Sequence, residues 1–143
     1  MDKPKPVKPA SLLSLIETEL PEKQYWIDPI LPLGGTLLFG GEAKVGKSFV
    51  LLELARALST GSLPFNCNLF KKVDPVKVLL VEQEVGIYGL QKRAKEIFQN
   101  ENPKIYGNRL YYASKVPELQ LDSKEGREIL FDLVEEVRPN VLL

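Results

Sequence analysis

The chain has 143 residues, 44 % of them hydrophobic, with Lys+Arg and Asp+Glu balanced at 19 each. That length supports one core, so the expectation is a single domain or part of a larger one, and the charge balance gives no global pull toward nucleic acid or anionic lipid, while leaving a local basic face open. The chain contains no histidine, which excludes a histidine metal site, a Ser-His-Asp triad and an imidazole base; catalysis must run on carboxylates, lysine, hydroxyls or bound Mg²⁺.

Residues 1–10 alternate Lys3, Lys5 and Lys8 with Pro4, Pro6 and Pro9 and are followed by no apolar signal core, so they read as a disordered tail. No later apolar run approaches the roughly 18–20 residues of a membrane span, and no membrane partner is expected. Ser11 can cap a short helix to about Leu20, with Leu12, Leu13, Ile16 and Leu20 as one apolar stripe, and Pro21 stops it. Trp26, in the approach to the first strand, is either a packing anchor or a base-stacking platform. Thr36–Phe39 is near-continuously apolar and predicts a strand covered on both faces.

Then comes Gly41-Glu42-Ala43-Lys44-Val45-Gly46-Lys47-Ser48, which fits G-x-x-x-x-G-K-[ST], the phosphate-binding loop of nucleotide hydrolases. Glycine lets the backbone approach a polyphosphate, and consecutive amides at a helix start make an anion cradle. Lys47 reaches the β- and γ-phosphates in such a loop, and the Ser48 hydroxyl ligates Mg²⁺. The competing interpretation is a plain glycine turn with Lys47 in solvent. Ala43 and Lys44 stand where proline and glycine often do, which affects loop stiffness and adds a charge near the phosphates. The candidate nucleotide-binding set is Gly41, Glu42, Ala43, Lys44, Val45, Gly46, Lys47, Ser48 and the adjoining Phe49, with ATP and Mg²⁺ as ligands.

A helix from near Lys47 to about Thr60 buries much of its circumference, with Gly61 as its C-terminal cap. Residues 62–75 form a loop. Cys67, the single cysteine, has no intrachain partner and fits a reducing cytoplasm as an ordinary thiol rather than a redox centre. Strand two, Val76–Val81, ends in Glu82-Gln83-Glu84. A strand following a phosphate-loop helix is expected to return beside strand one, which puts Glu82 and Glu84 near the nucleotide. Alternation places both on one side if the strand continues through them. They are either a solvated strand end or the carboxylate that orients and deprotonates the attacking water.

After Gly86 a helix spans about Tyr88–Asn100, with Leu90, Ala94, Ile97 and Phe98 buried and Lys92, Arg93 and Lys95 on the other side. That charge run is a solvated face or a contact for phosphate. Asn102-Pro103 breaks the pattern, Leu110–Ala113 reads as strand three, and Asp122 with Glu125 resembles a capping box for a helix ending near Arg138. Its Ile129, Leu130, Leu133, Val134 and Val137 are expected to face the sheet. Val141-Leu142-Leu143 opens a fourth strand, too short to be a good sheet member. The fold class expected is α/β, a parallel sheet flanked by helices. Phosphate-loop proteins usually place a second acid at the tip of a core strand, so a chain that stops before one is expected to be the N-terminal part of a longer domain.

Taken together, Trp26-Ile27-Asp28, Gly34-Gly35-Thr36-Leu37-Leu38, the Gly41–Ser48 loop, Val78-Leu79-Leu80-Val81-Glu82-Gln83-Glu84, Leu121-Asp122-Ser123 and Arg138-Pro139-Asn140-Val141-Leu142-Leu143 resemble the AAA_25 or RepA-like branch of the RecA/DnaB-type ATPases. That branch includes hexameric replicative helicases of plasmids and related ATPases of phages and mobile elements. The resemblance covers about residues 11–143 and implies a RecA-like fold, truncated before completion. It puts the catalytic glutamate on Glu84, with Glu82 as the adjacent candidate, and Lys47 in the catalytic set. The Walker B aspartate, arginine finger and DNA loops would follow Leu143, so the fragment alone is expected to be weakly active or inactive. It further implies a cytoplasmic ring-forming homo-oligomer such as a hexamer, acting on single-stranded DNA as a helicase in replication. The alternative is a regulatory or scaffolding ATPase that uses ATP as an assembly switch without translocation; a third reading is a nucleotide-binding kinase or transferase.

Overall fold

A computed structural model describes residues 9–71 and 74–143; the proline–lysine tail expected over 1–10 lies almost wholly outside the described residues. The first helix, α1, covers Leu12–Glu17, three residues shorter than its apolar stripe predicts. Ser11 caps it by accepting from the Ser14 amide, and the stripe is solvent-facing, with Leu12, Ile16 and Leu20 each about 70 % exposed. Strands β1 (Tyr25–Ile27) and β2 (Leu31–Pro32) form a small antiparallel hairpin. Ile27 and Leu31 enter the core from it, and Trp26 packs against them as an anchor.

The central helix, α2, runs Lys47–Thr60, between Gly46 and Gly61. Both glycines sit at positive φ, +92° and +73°, where an L side chain would crowd the following carbonyl. The Gly61 amide closes the helix on the Ala57 carbonyl at 2.8 Å. Residues Leu52 and Leu54 to Ser59 are buried, so α2 is covered on most sides. A short 3₁₀ turn follows at Pro64–Asn66.

Strands β3 (Val78–Glu82), β4 (Leu110–Ser114) and β5 (Val141–Leu142) form a parallel sheet with β3 in the centre. Val78 pairs with both Leu110 and Val141. Helices α3 (Gly86–Ile97), α4 (Pro103–Tyr106) and α5 (Lys124–Val137) occupy the connections. The expected α/β class with a parallel sheet and flanking helices is what forms. Two apolar clusters hold it together. One joins Ile27, Leu31, Leu54, Ala55, Leu58, Val78 and Val141; the other joins Leu52, Leu80, Leu90 and Phe98. Helix α2 contributes to both and so sits over the sheet like a beam.

Several local expectations are corrected. Thr36–Phe39 forms no strand: Leu37 and Phe39 lean on the core, but Leu38 is 90 % exposed. Glycine pairs on both sides make this segment entropically costly to fix, and the two-residue β5 beside it offers few ladder bonds. Strand two therefore does not return beside strand one; β5 takes that place, short as it is, with the Val81 amide donating to Leu143 O and the Leu143 amide to Leu79 O. Asn102-Pro103 starts helix α4 rather than merely breaking α3, because Asn102 caps the Lys104 amide and proline suits the first turn. In α5 the cap is Ser123, not Asp122: its hydroxyl accepts from the Gly126 amide at 2.9 Å. The apolar stripe of α5 is half-buried and joins neither cluster. No helix among the described residues is long and apolar enough to cross a membrane.

Candidate functional site

The loop from Gly41 to Ser48 is built by backbone conformation. Gly46 must be glycine on conformational grounds, and a Cβ on Gly41 would meet Val45 Cγ2 at 3.2 Å, so the loop closes tightly around those two positions. Lys44 adopts the left-handed region at φ +66°, a cost that glycine would avoid. The turn feeds directly into α2. There the Phe49 and Val50 amides both donate to Gly46 O, at 2.9 and 3.1 Å. The amides of Val45, Gly46, Lys47 and Ser48 have no acceptor within the chain among the described residues. Four neighbouring donors at the positive end of a 14-residue helix are an electrostatic invitation to an anion. The Lys47 ammonium folds back over the same loop, donating to Gly41 O at 2.9 Å and Glu42 O at 2.7 Å.

A cleft of about 390 Å³ lies between this loop and the C-terminal end of β3. Lys47 and Ser48 line it on one side, Glu82, Gln83, Glu84 and Arg93 on the other, with Leu37, Leu52, Leu90 and Leu143 among the apolar walls. The structure thus brings together Lys47, Ser48, Glu82 and Glu84, as their positions in the sequence suggest. The two glutamates differ sharply. Strand β3 ends at Glu82, so the alternation that would put both on one side does not continue.

The Glu82 carboxylate is taken up by the turn into α3. It accepts from the amides of Glu84 at 2.6 Å, Val85, and Gly86 at 2.9 Å, and from the Ser114 hydroxyl at 3.2 Å. Burial pushes its pKa up, but the three amides and the hydroxyl outweigh that, and the net shift is downward. Such a group is a helix cap locked as a carboxylate. Glu84 is exposed, and its carboxylate makes no hydrogen bond or ion pair among the described residues. Of the two carboxylates in the cleft it is the one without a partner among the described residues.

Arg93 does not share the solvent-facing side of α3 with Lys92 and Lys95, although their run in the sequence suggests that it does. Lys92 and Lys95 are exposed, whereas Arg93 is half-buried with its guanidinium carbon 5.0 Å from the centroid of the Phe49 ring. The signal was present: Arg93 lies three residues after Leu90, on the face of α3 that turns inward. No group of three or more metal-ligating side chains occurs among the described residues. The Ser48 hydroxyl, at the cleft wall beside the amide cradle, is the donor that fits a hard cation shared with phosphate oxygens.

Residues 3–141 match the AAA domain family. No curated protein and no solved structure matches the chain.

Proposed function

Because the chain belongs to the AAA domain family of ATPases, we propose that Gly41–Ser48 binds ATP with Mg²⁺ and that Glu84 activates the water that attacks the terminal phosphate. The observation that carries this is the cradle: four successive amides without acceptors among the described residues run into Lys47 and Ser48, which line one cleft with the unengaged Glu84. The amides and the Lys47 ammonium hold the phosphates by charge-assisted hydrogen bonds, each worth about 1.5–3 kcal/mol. To do so Lys47 exchanges two carbonyl acceptors for phosphate oxygens, which carry more charge. Mg²⁺ held by Ser48 supplies further neutralisation of phosphate charge when bound. Glu84, at the strand end, orients water and takes its proton, while Glu82 holds the turn that presents Glu84.

Titration of the protein with Mg·ATP tests the reading. Wild type should bind and Lys47→Ala should not; equal binding by the two would remove the phosphate loop from the account. In protein that turns over, Glu84→Gln should retain ATP and slow hydrolysis at least tenfold, the usual scale for losing a general base. If Glu82→Gln alone produces that phenotype, the base lies two residues earlier.

The finer assignment we propose is a cytoplasmic, ring-forming motor of the RepA-like branch that works on single-stranded DNA. The residue patterns around Trp26, Leu121 and Arg138 support it. An ATPase rate stimulated by single-stranded DNA, together with nucleotide-dependent assembly, is the expected result; assembly with no response to DNA would favour a nucleotide-controlled scaffold.

A further inference from the structure

The cleft carries one cation besides Lys47 that the phosphate-loop pattern does not account for. Arg93 lies on α3, seven residues past the start of that helix, and lines the same wall as Glu84. Its guanidinium is packed at 5.0 Å over the ring of Phe49, and Phe49 is the residue immediately after Ser48 in the first turn of α2. Among the described residues it makes no ion pair and donates no hydrogen bond. The other inward arginine, Arg56, has all its partners. Arg93 is thus a half-buried residue whose five donors meet no acceptor among the described residues and whose guanidinium rests on one aromatic face.

We propose that Arg93 is a phosphate-contacting residue of the cleft, aimed by Phe49 at the terminal phosphate of the nucleotide. The proposal rests on the nucleotide reading above and adds a residue and a selectivity to it. Lys47 and the amide cradle approach the phosphates from the loop. Arg93 approaches from the opposite wall, the Glu84 side, where the reacting phosphate must lie if Glu84 is to reach its attacking water. A planar fork there can bind two phosphate oxygens at once, which an ammonium cannot. The contact with the Phe49 ring restrains the guanidinium, so less side-chain entropy is lost when phosphate is bound. The result is a discriminator: the contact exists with a triphosphate and is absent with a diphosphate.

The experiment compares Mg·ATP and Mg·ADP affinities, by calorimetric titration, for wild type, Arg93→Lys, Arg93→Gln, Phe49→Leu and Lys47→Ala, with circular dichroism to check folding. Arg93→Gln should weaken ATP about tenfold or more, the scale of one charge-assisted bond, and leave ADP unchanged. Arg93→Lys should recover only part of that loss, and Phe49→Leu should lower the ATP-to-ADP affinity ratio, by less than Arg93→Gln does. A merely structural Arg93 would lower both affinities alike. Equal losses for the two nucleotides, or none, with Lys47→Ala still abolishing binding, overturn the Arg93 assignment and spare the phosphate loop. If wild type binds neither nucleotide, the loop reading falls and takes this assignment with it. Should Arg93→Gln be unfolded, Phe49→Leu decides: an unchanged ATP-to-ADP ratio overturns the aiming role.

Discussion

The two ends of helix α2 are opposites. At its N-terminal end the amides of Val45 to Ser48 have no partners among the described residues, the lysine is held only by exposed carbonyls, and a left-handed lysine stores strain next door. At its C-terminal half everything is satisfied internally. Arg56, 6 % exposed, donates to both oxygens of Glu53 at 2.6 and 2.8 Å, to Glu101 at 2.5 Å, to Ser62 and to Leu63 O. Ser59 and Thr60 return their hydroxyls to Arg56 O, at 3.2 and 2.8 Å. The same helix therefore keeps hydrogen-bonding capacity in reserve where it is to bind and spends it fully where it is to hold the fold.

The largest effect expected is at the satisfied end. Arg56→Ala leaves two carboxylates facing one another in a largely buried site, and breaking such a cluster costs about 3–5 kcal/mol. The carboxylates also raise the arginine pKa, through the Glu53 hydrogen bond first and Glu101 after it, against desolvation. The guanidinium therefore stays charged across the accessible range, and the loss should be nearly independent of pH between about 5 and 9. Thermal unfolding followed by circular dichroism measures it, with a fall in Tm on the order of 10 °C; a fall of only a degree or two would mean the network is decorative.

At the other end the expected effect is large on binding and small on stability. Lys47→Ala removes an ammonium whose two acceptors are exposed, so the folded state should lose less than about 1 kcal/mol. Affinity for Mg·ATP should fall by more than about a hundredfold, the weight of two or more charge-assisted bonds to phosphate, which takes binding out of the range of the titration. The two variants together form a crossed test: Arg56→Ala lowers Tm, and Lys47→Ala lowers affinity. A Tm loss in Lys47→Ala as large as in Arg56→Ala would erase the division between the ends.

How much of this was legible in the sequence depended on whether the signal was local. The approximate limits read for helix α2, near Lys47 and about Thr60, match its ends, because Gly46 and Gly61 stop it by backbone conformation alone and need no partner. The expected strand at Thr36–Phe39 failed because a strand exists only by pairing, and β5 offers too short an edge. Ser123 displaced Asp122 as the α5 cap by one residue: its hydroxyl takes the Gly126 amide, at a position where the Gln120 carbonyl lies so close that a Cβ would sit 2.1 Å from it. Glu82 looked like a catalytic candidate since its three amide partners belong to a turn that has no sequence signature beyond Gly86. Buried Arg56 gave no signal, being one charge in a helix whose Glu53 is local but whose Glu101 lies 45 residues away.

Glu82 offers a smaller effect that sharpens the contrast between cap and base. Its pKa lies below the usual 4.5 in the folded chain, so its contribution to stability is complete above that value and is lost as pH falls through the lowered one. At pH 6, Glu82→Gln should therefore cost about 1–2 kcal/mol, since one acceptor oxygen and the charge are lost. Urea midpoints at successively lower pH should begin to converge as pH falls below about 4.5, where the unfolded chain takes up the proton, and meet once pH has passed through the lowered value, where folded Glu82 is itself protonated. A gap that stays constant down to pH 3 would deny the cap its charge dependence.

The smallest effect expected lies in the loop, at Lys44. Its φ of +66° costs an L residue roughly 1–2 kcal/mol relative to the right-handed region. Glycine would relieve that strain but gives back about 0.5–1 kcal/mol in chain entropy on folding. Lys44→Gly should thus stabilise by about 0.5 kcal/mol, a rise in Tm of a degree or two. The substitution also removes a charge beside the phosphate site, so stability and affinity are expected to move in opposite directions. Lys44→Asn separates the two causes, because asparagine tolerates the left-handed region and carries no charge. If Lys44→Gly and Lys44→Asn weaken Mg·ATP equally at low salt and the loss fades at high salt, the lysine acts on the phosphates by screened charge. An affinity unchanged in both would mean that the strained lysine is a matter of loop shape alone.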